Sequence, residues 1–378
     1  MGQLGEDIKN LGFGLMRLPT LEDGTIDVEQ VKVMTDKFLE AGFTYFDTAW
    51  AYPGSEEAIC EALVKRYPRD SYTIATKNAA WIACKTREDA LKQFDTSLER
   101  LGVDYIDFYL LHNIGEWKTQ IFEDWDMWSF VKELKEQGKV KHWGFSFHST
   151  PEELEEVLTK HPDAEFVQLQ INYADWENPE IESKGVYEVA RKHNKPVVIM
   201  EPVKGGALAD PPEQVAKILK EADPKASCAS WALRFAADLP GLITVLSGMS
   251  TVEQMDDNLS FMKDFKGLTE DERKVLDKAR DELNKIPLIP CTSCNYCAKA
   301  CPMEIGISGS MNARNHYTLF RDLDMAKGRE AWLVGGHGRK QAVNCIKCGA
   351  CEKVCPQHIN IREHLTEIAE TFAQKKAE

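Results

Sequence analysis

The chain has 378 residues, 61 of them acidic and 46 basic, for a formal net charge of −15. That balance excludes nucleic acid as a partner, because phosphate contacts need a basic face, and no run approaches the roughly 18 apolar residues of a membrane span. With 43% hydrophobic residues, a chain this long suits one large domain plus one small one.

In chain order, short β-branched or aromatic runs alternate with amphipathic stretches. Strands are expected at Phe13–Leu15, Thr44–Asp47, Thr73–Thr76, Ile106–His112, Val140–Ser146, Phe166–Asn172, Val197–Pro202 and Leu242–Leu246. Between them lie helical patterns. Val28, Val31, Met34, Phe38 and Ala41 share a face before Gly42, and Leu91, Phe94, Leu98 and Leu101 share one before Gly102. Thr150-Pro151-Glu152-Glu153 combines an N-cap, a proline at the first helical position and a capping-box glutamate. Eight βα units in about 280 residues are what a (β/α)8 TIM barrel requires; an open doubly wound sheet would need fewer strands. The fold class expected is α/β.

Active sites of such barrels lie at the C-terminal strand ends. Those ends carry Asp47 and Tyr52, then Lys77, then His112. An acid, a phenol, an amine and an imidazole form a proton-donating set, as a carbonyl accepting hydride requires at its oxygen. Lys77 is expected to favour the Tyr52 phenolate and so lower its pKa. Asp47 would hold Lys77, and His112 would hydrogen-bond the substrate oxygen.

The runs Phe46-Asp47-Thr48-Ala49-Trp50-Ala51-Tyr52, Thr76-Lys77 and Leu110-Leu111-His112, on this pattern, resemble the aldo/keto reductases over roughly residues 10–265. The resemblance implies that Asp47, Tyr52, Lys77 and His112 are the catalytic tetrad. It also implies a nicotinamide nucleotide bound without a Rossmann fold, and no G-x-G-x-x-G opens a βαβ unit here. The implied nucleotide contacts are Met16, Asp47, Ser146, Gln170, Met200, Pro202, Val203, Ser247, Gly248, Gln254 and Asn258. Ser146 and Gln170 would grip the carboxamide, and Met200 stands where relatives commonly present a ring-stacking tyrosine. Ser250 as N-cap, with Glu253 closing a capping box, would make a helix N-terminus suited to phosphate. Gln254 and Asn258 match adenosine-binding positions. The chain departs from the pattern at Phe147, where many relatives have Asn. It departs again at Gly248 and Gln254, where NADPH-specific members place a Lys and an Arg; NAD(H) and NADP(H) both stay open. Trp50, Trp81, Trp117, Trp125 and Trp128 lie on or near the mouth loops, either walling a substrate pocket or packing the loops themselves.

Ile286-Pro287-Leu288-Ile289-Pro290 interrupts helix and sets the domain boundary, giving a barrel over 1–285 and a small, mostly helical domain over 286–378. Cys291, Cys294, Cys297 and Cys301 follow C-x2-C-x2-C-x3-C-P, and Cys345, Cys348, Cys351 and Cys355 repeat it 54 residues later. This is the ferredoxin-type spacing for two [4Fe–4S] clusters, in which the fourth cysteine of each run ligates the other cluster. One set is then Cys291, Cys294, Cys297 and Cys355, and the other is Cys345, Cys348, Cys351 and Cys301. Structural zinc would require neither the third x2 spacing nor the proline. The 43 residues between the runs, with helical texture over Met311–Asp322, exceed what a compact ferredoxin hairpin needs. Cys60, Cys84 and Cys228 remain as structural thiols. Met1-Gly2-Gln3-Leu4-Gly5-Glu6-Asp7 has no signal-peptide pattern, and unpaired thiols suit a reducing compartment, so a cytoplasmic protein is expected.

The fused arrangement resembles a subgroup of bacterial and archaeal aldo/keto reductases with a C-terminal dicluster ferredoxin-type domain. Hydride moves two electrons and each cluster moves one, so coupling them calls for a mediator such as flavin. Flavin is one candidate cofactor, though no motif marks it; the other roles open to the clusters are structural support and tuning of activity by redox state. An external ferredoxin or another electron carrier is a candidate partner beside the small-molecule carbonyl or alcohol substrate. The alternative function is a redox-sensing or electron-transfer subunit whose barrel binds nucleotide without turning over a carbonyl.

Overall fold

The computed structural model describes residues 4–373 except Ala83, Pro179, Glu180, Lys266, Thr292, Cys294 and Pro356. Eight parallel strands close into a barrel in chain order: β1 (Leu11–Gly14), β2 (Tyr45–Asp47), β3 (Thr73–Asn78), β4 (Ile106–Ile114), β5 (Val140–Phe147), β6 (Phe166–Gln170), β7 (Val197–Met200) and β8 (Leu242–Ser247). Closure is the pairing of β1 with β8, where Phe13 faces Ser247. Between the strands run α1 (Val28–Glu40), α2 (Ser55–Ile59), α3 (Arg87–Leu101), α4 (Trp117–Asp124), α5 (Met127–Glu136), α6 (Pro151–Lys160), α7 (Ser183–Lys192), α8 (Glu213–Ala222) and α9 (Cys228–Ala237); α10 (Val252–Met262) and α11 (Glu270–Asn284) follow β8.

Strand ends differ from expectation where side chains compete for the ladder. β6 stops at Gln170 because Asn172 turns the chain, its Oδ1 accepting from Asp175 N at 2.9 Å. β7 stops before Pro202, which has no N–H to donate. β4 runs on past His112 to Ile114 through a register shift after Leu111. At α6, Thr150 caps as expected and Pro151 opens the helix. The capping box is not closed, however: the Glu153 carboxylate accepts from Glu116 N at 3.0 Å and from Thr119 Oγ1 at 2.9 Å instead.

The barrel interior is filled by alternate inward residues, among them Tyr45, Phe108, Leu110, Phe166 and Ile243. Phe108 meets Tyr45 at 5.3 Å and Phe166 edge-on at 5.2 Å between ring centroids. Gly144 makes the Phe166 position possible. A Cβ there would stand 2.3 Å from Phe166 O and 2.8 Å from its ring. Gly144→Ala should therefore force β5 and β6 apart and destabilise the barrel by about 3 kcal/mol, the upper end of overpacking. A urea titration followed by tryptophan fluorescence reads this as a lower midpoint; an unchanged midpoint would show that the two strands yield freely.

The chain divides into two compact units, one running to Ala209 and resuming over Asp223–Leu276, the other comprising Asp210–Ala222 and the described residues after Leu276. The second therefore includes α8 as well as α12 (Tyr296–Ala300), α13 (Ile307–Phe320), α14 (Leu323–Leu333), α15 (Ala350–Lys353) and α16 (Ile361–Ala373). The long insert between the cysteine runs is mostly the α13–α14 pair. Buried Glu330 holds it, accepting from Ser310 Oγ at 2.7 Å and from Ala342 N at 3.3 Å. Ile305, Ile307, Met311, Ile359, Ile361 and Leu365 build an apolar core beside the cysteines. Among the described residues no helix is long and apolar enough to cross a membrane.

Candidate active site and cluster cradles

The C-terminal ends of β2, β3 and β4 bring Asp47, Lys77 and His112 to one end of the barrel. The loop after β2 adds Tyr52. It is pinned by Ser55, whose Oγ donates to Leu15 O at 2.9 Å and shares a 2.8 Å hydrogen bond with Thr48 Oγ1. Gly54 turns this loop into α2 at φ 72°, a left-handed conformation that other residues resist. Lys77 is fully buried and donates to Asp47 Oδ1 at 2.5 Å and to Thr48 O at 2.6 Å. Its ammonium lies 5.2 Å from the Tyr52 ring centroid. His112 stands edge-on to Tyr52, with ring centroids 5.8 Å apart.

Burial pushes the Asp47 carboxyl up and draws the Lys77 amine down, each opposed by the other's charge. His112 is held well below the usual imidazole range by burial first, then by the charges of Lys77, His148 and Lys118. It is therefore neutral at pH 7. Tyr52 corrects an expectation. Its phenol is raised, by burial and then by Asp47 and Glu201, and the cation that opposes this is Arg17. Lys77 is committed to Asp47 and Thr48 O and lies over the ring face, so it does not free the proton. The phenol stays protonated.

Two of the expected nucleotide contacts have complementary polar atoms. Ser146, fully buried, already accepts from Asn113 N at 2.8 Å, which leaves its hydroxyl hydrogen to donate. Gln170 uses its amide nitrogen on Asp175 at 3.3 Å, which leaves its oxygen to accept. A primary carboxamide offers the matching C=O and NH2. Met200 is half-buried against the barrel interior, its sulfur 3.5 Å from Gln168 Nε2. Pro202 is buried, Val203 half-buried, Gly248 exposed and Met16 60% exposed. Asn258 is turned inward and donates to Ser247 Oγ at 2.7 Å. The cap of α10 lies one residue later than expected. Thr251 accepts from Gln254 N at 3.2 Å, because Ser250 Oγ is drawn to Arg17 O at 2.7 Å, and Gln254 Oε1 accepts from Ser250 N at 2.7 Å.

The tryptophans divide. Trp128 is buried and stacked on His161 at 3.8 Å, Trp125 packs on the core, and Trp50 lies under Arg100 at 5.4 Å. Trp81 donates from Nε1 to His112 O at 2.8 Å, and Trp117 is 52% exposed. Two features escaped the sequence reading. Asp175 and Lys204 pair at 2.5 Å beyond β6 and β7. Burial raises the Asp175 carboxyl, but the Lys204 charge and hydrogen bonds from Lys204, Asn172 and Gln170 outweigh it and hold it low. Lys118, on the first turn of α4, is almost buried. The Asn172-x-x-Asp175 spacing is a signal for the first; no periodicity announces the second.

In the second unit the cysteines line two pockets. One is walled by Cys291, Cys297 and Cys355 with Ile307, Met311 and Ile359. The other is walled by Cys301, Cys345, Cys348 and Cys351 with Ile305 and Leu365. Cys294 lies outside the described residues. Thiols around an apolar cavity fit a [4Fe–4S] cube, which takes four cysteines, and the fourth cysteine of each run stands with the other run. Among the described residues no three His, Cys, Asp or Glu side chains converge on one ion.

Known proteins place this geometry. The model of the aldo/keto reductase family matches residues 10–281, and that of the 4Fe-4S dicluster domain matches residues 290–360. An uncharacterized oxidoreductase, YqkF, of Bacillus subtilis is 25% identical over 73% of this chain and 94% of its own. An aldo-keto reductase of Mycolicibacterium vanbaalenii is 30% identical over 63% of this chain and 79% of its own. In structure, the holo form of aldo-keto reductase AKR11C1 from Bacillus halodurans superposes with a TM-score of 0.57 at 24% identity, covering 74% of this chain and 95% of that one. An aldo-keto reductase from Klebsiella pneumoniae in complex with NADPH gives 0.57 at 22% identity, covering 72% and 90%. The chain belongs to the aldo/keto reductase family of oxidoreductases and carries, after its TIM barrel, a 4Fe-4S dicluster domain.

Proposed function

We propose that the barrel transfers hydride between a nicotinamide nucleotide and a carbonyl or alcohol substrate, with Asp47, Tyr52, Lys77 and His112 as its acid–base machinery. The observation that carries this reading is a buried ammonium locked at 2.5 Å to Asp47 beneath a protonated phenol, with a neutral imidazole edge-on to that phenol. When bound, the reduced nicotinamide supplies hydride to the carbonyl carbon. As the C=O π pair withdraws to oxygen, Tyr52 gives its hydroxyl proton to that oxygen. His112, neutral, orients the oxygen by hydrogen bonding. Lys77 holds positive charge under Tyr52 while the phenolate forms, and Asp47 keeps Lys77 in place. Ser146 and Gln170 present one donor and one acceptor to the carboxamide. In the second unit, Cys291, Cys294, Cys297 and Cys355 hold one [4Fe–4S] cluster and Cys345, Cys348, Cys351 and Cys301 the other, groups suited to single-electron exchange with an external carrier such as a ferredoxin.

The complex of the Klebsiella relative with NADPH supports a nicotinamide nucleotide in this barrel. The test is isotopic. The holoprotein is incubated with NADH or NADPH carrying deuterium at C4 and with a panel of aldehydes, and products are read by mass spectrometry. Deuterium on the carbinol carbon with at least one nucleotide is expected. Labelled nucleotide bound without any label reaching a product would favour the reading in which the barrel only senses or relays redox state.

A further inference from the structure

Beyond β4 the chain bends sharply to place one cation at the barrel mouth. Asn113 and Glu116 both have positive φ, and Glu116 (φ 55°, ψ −142°) lies close to a region that glycine alone occupies readily. The bend is held from α6: the Glu153 carboxylate accepts from Glu116 N and Thr119 Oγ1 and fixes the first turn of α4. That turn buries the Lys118 side chain to 8% exposure. The ammonium rests 5.4 Å from the Trp117 ring centroid and 5.9 Å from that of Trp81. Trp81 is the ring whose indole N–H donates to His112 O and which stands edge-on to the His112 imidazole at 6.1 Å. Lys118 and the carbonyl-orienting histidine are therefore both neighbours of one indole.

Lys118 has no hydrogen-bond acceptor among the described residues. Its nearest carboxylate oxygen, on Glu116, is 3.6 Å away on a side chain 57% exposed, and such a pair is weakened by solvent. The indole faces attract the charge but leave the three N–H donors unused. An ammonium with unused donors, carried on a side chain only 8% exposed and placed by strained backbone beside the site, is suited to receive an anion.

We propose that Lys118 binds a carboxylate on the substrate, so that the enzyme favours carbonyl compounds bearing an acid group several atoms from the reacting carbonyl, with Trp81 and Trp117 flanking the spacer. This rests on the hydride-transfer reading and names its substrate class. It makes Lys118 a specificity determinant: the residue selects the substrate and moves no proton.

The test compares benzaldehyde with 4-carboxybenzaldehyde on the holoprotein. The ratio of their kcat/KM values should favour the acid in the wild type and fall by about tenfold or more in Lys118→Gln, the loss expected for one charged hydrogen bond. Lys118→Arg, which keeps the charge, should retain most of the preference. An unchanged ratio in Lys118→Gln, in protein with wild-type cluster absorption and melting, overturns the proposal. Should the wild type reduce neither aldehyde, the deuterium-transfer panel decides the hydride reading and benzoate decides the subsite. Quenching of tryptophan fluorescence by benzoate should need about tenfold more ligand in Lys118→Gln, and equal affinities would overturn the proposal independently of turnover.

Discussion

Tyr52→Phe should lower kcat for carbonyl reduction by about 10²–10⁴-fold, the range supplied by one positioned proton donor. His112 and Lys77 are the competing proton sources beside it. His112 is neutral at pH 7, because burial and the charges of Lys77, His148 and Lys118 disfavour its imidazolium. Lys77 is fully buried and hydrogen-bonded to Asp47 and Thr48 O, so its protons are committed. Tyr52 alone combines a transferable proton with an edge-on approach to His112. Burial, Asp47 and Glu201 keep that proton in place well into alkaline solution, so the wild-type reduction should not lose its donor as pH rises through neutrality. The phenylalanine ring occupies the same volume, so nucleotide binding, cluster absorption and melting should match the wild type. Steady-state kinetics beside a fluorescence titration with nucleotide separate the two effects. Turnover within about tenfold of wild type would reject Tyr52 as the general acid.

Much of this organisation is readable in the residues, and the differences have physical causes. The eight strands are written as β-branched and aromatic runs because every one is buried in a parallel sheet, where alternation disappears and hydrophobicity dominates. Their ends are less legible, since Asn172 and Pro202 settle them by hydrogen bonding rather than by pattern. Caps show the same competition. Ser250 and Thr251 are equivalent as letters, and only the nearby Arg17 carbonyl, which takes the Ser250 hydroxyl, decides that Thr251 caps α10. Glu153 reads as a capping-box residue of its own helix, yet serves the strained turn before α4.

Charge is harder still. Lys77 beside Tyr52 in a list of strand ends suggests an acidified phenol. In three dimensions the ammonium faces the ring and Asp47, while burial and two carboxylates act on the hydroxyl. Lys118 looks like an ordinary helix-surface lysine; its burial follows from the backbone bend at Asn113–Glu116 and from two tryptophans distant from or adjacent to it in sequence. Spacing shows which side chains share an element, but desolvation depends on everything that surrounds them.

Cys301→Ala should empty the cradle built by the second cysteine run, not the one built by its own. Cys301 lines the cavity of Cys345, Cys348 and Cys351, and Cys355 lines that of Cys291 and Cys297. The reason is local geometry. Each run turns through a short helix, α12 after Asn295 and α15 after Gly349, both entered by a left-handed residue. The third cysteine of each run thereby faces its own cavity, buried at Cys297 and Cys351. The fourth leaves the helix in an extended conformation at Cys301, with φ −79° and ψ 115°, and is carried across. Removing either fourth cysteine should therefore cost about half the iron, and the cluster that remains should identify the one lost. Reduced Cys301→Ala should give the same paramagnetic resonance signal as Cys348→Ala, and Cys355→Ala the same as Cys297→Ala. If Cys301→Ala instead matched Cys297→Ala, each run would hold its own cluster. The crossed arrangement would then be wrong, although all eight cysteines were needed. Deuterium transfer from labelled nucleotide, measured in the same four variants, also shows whether hydride chemistry in the barrel depends on either cluster. Full label transfer in all four variants, whichever cradle is emptied, would show that hydride chemistry in the barrel needs neither cluster singly.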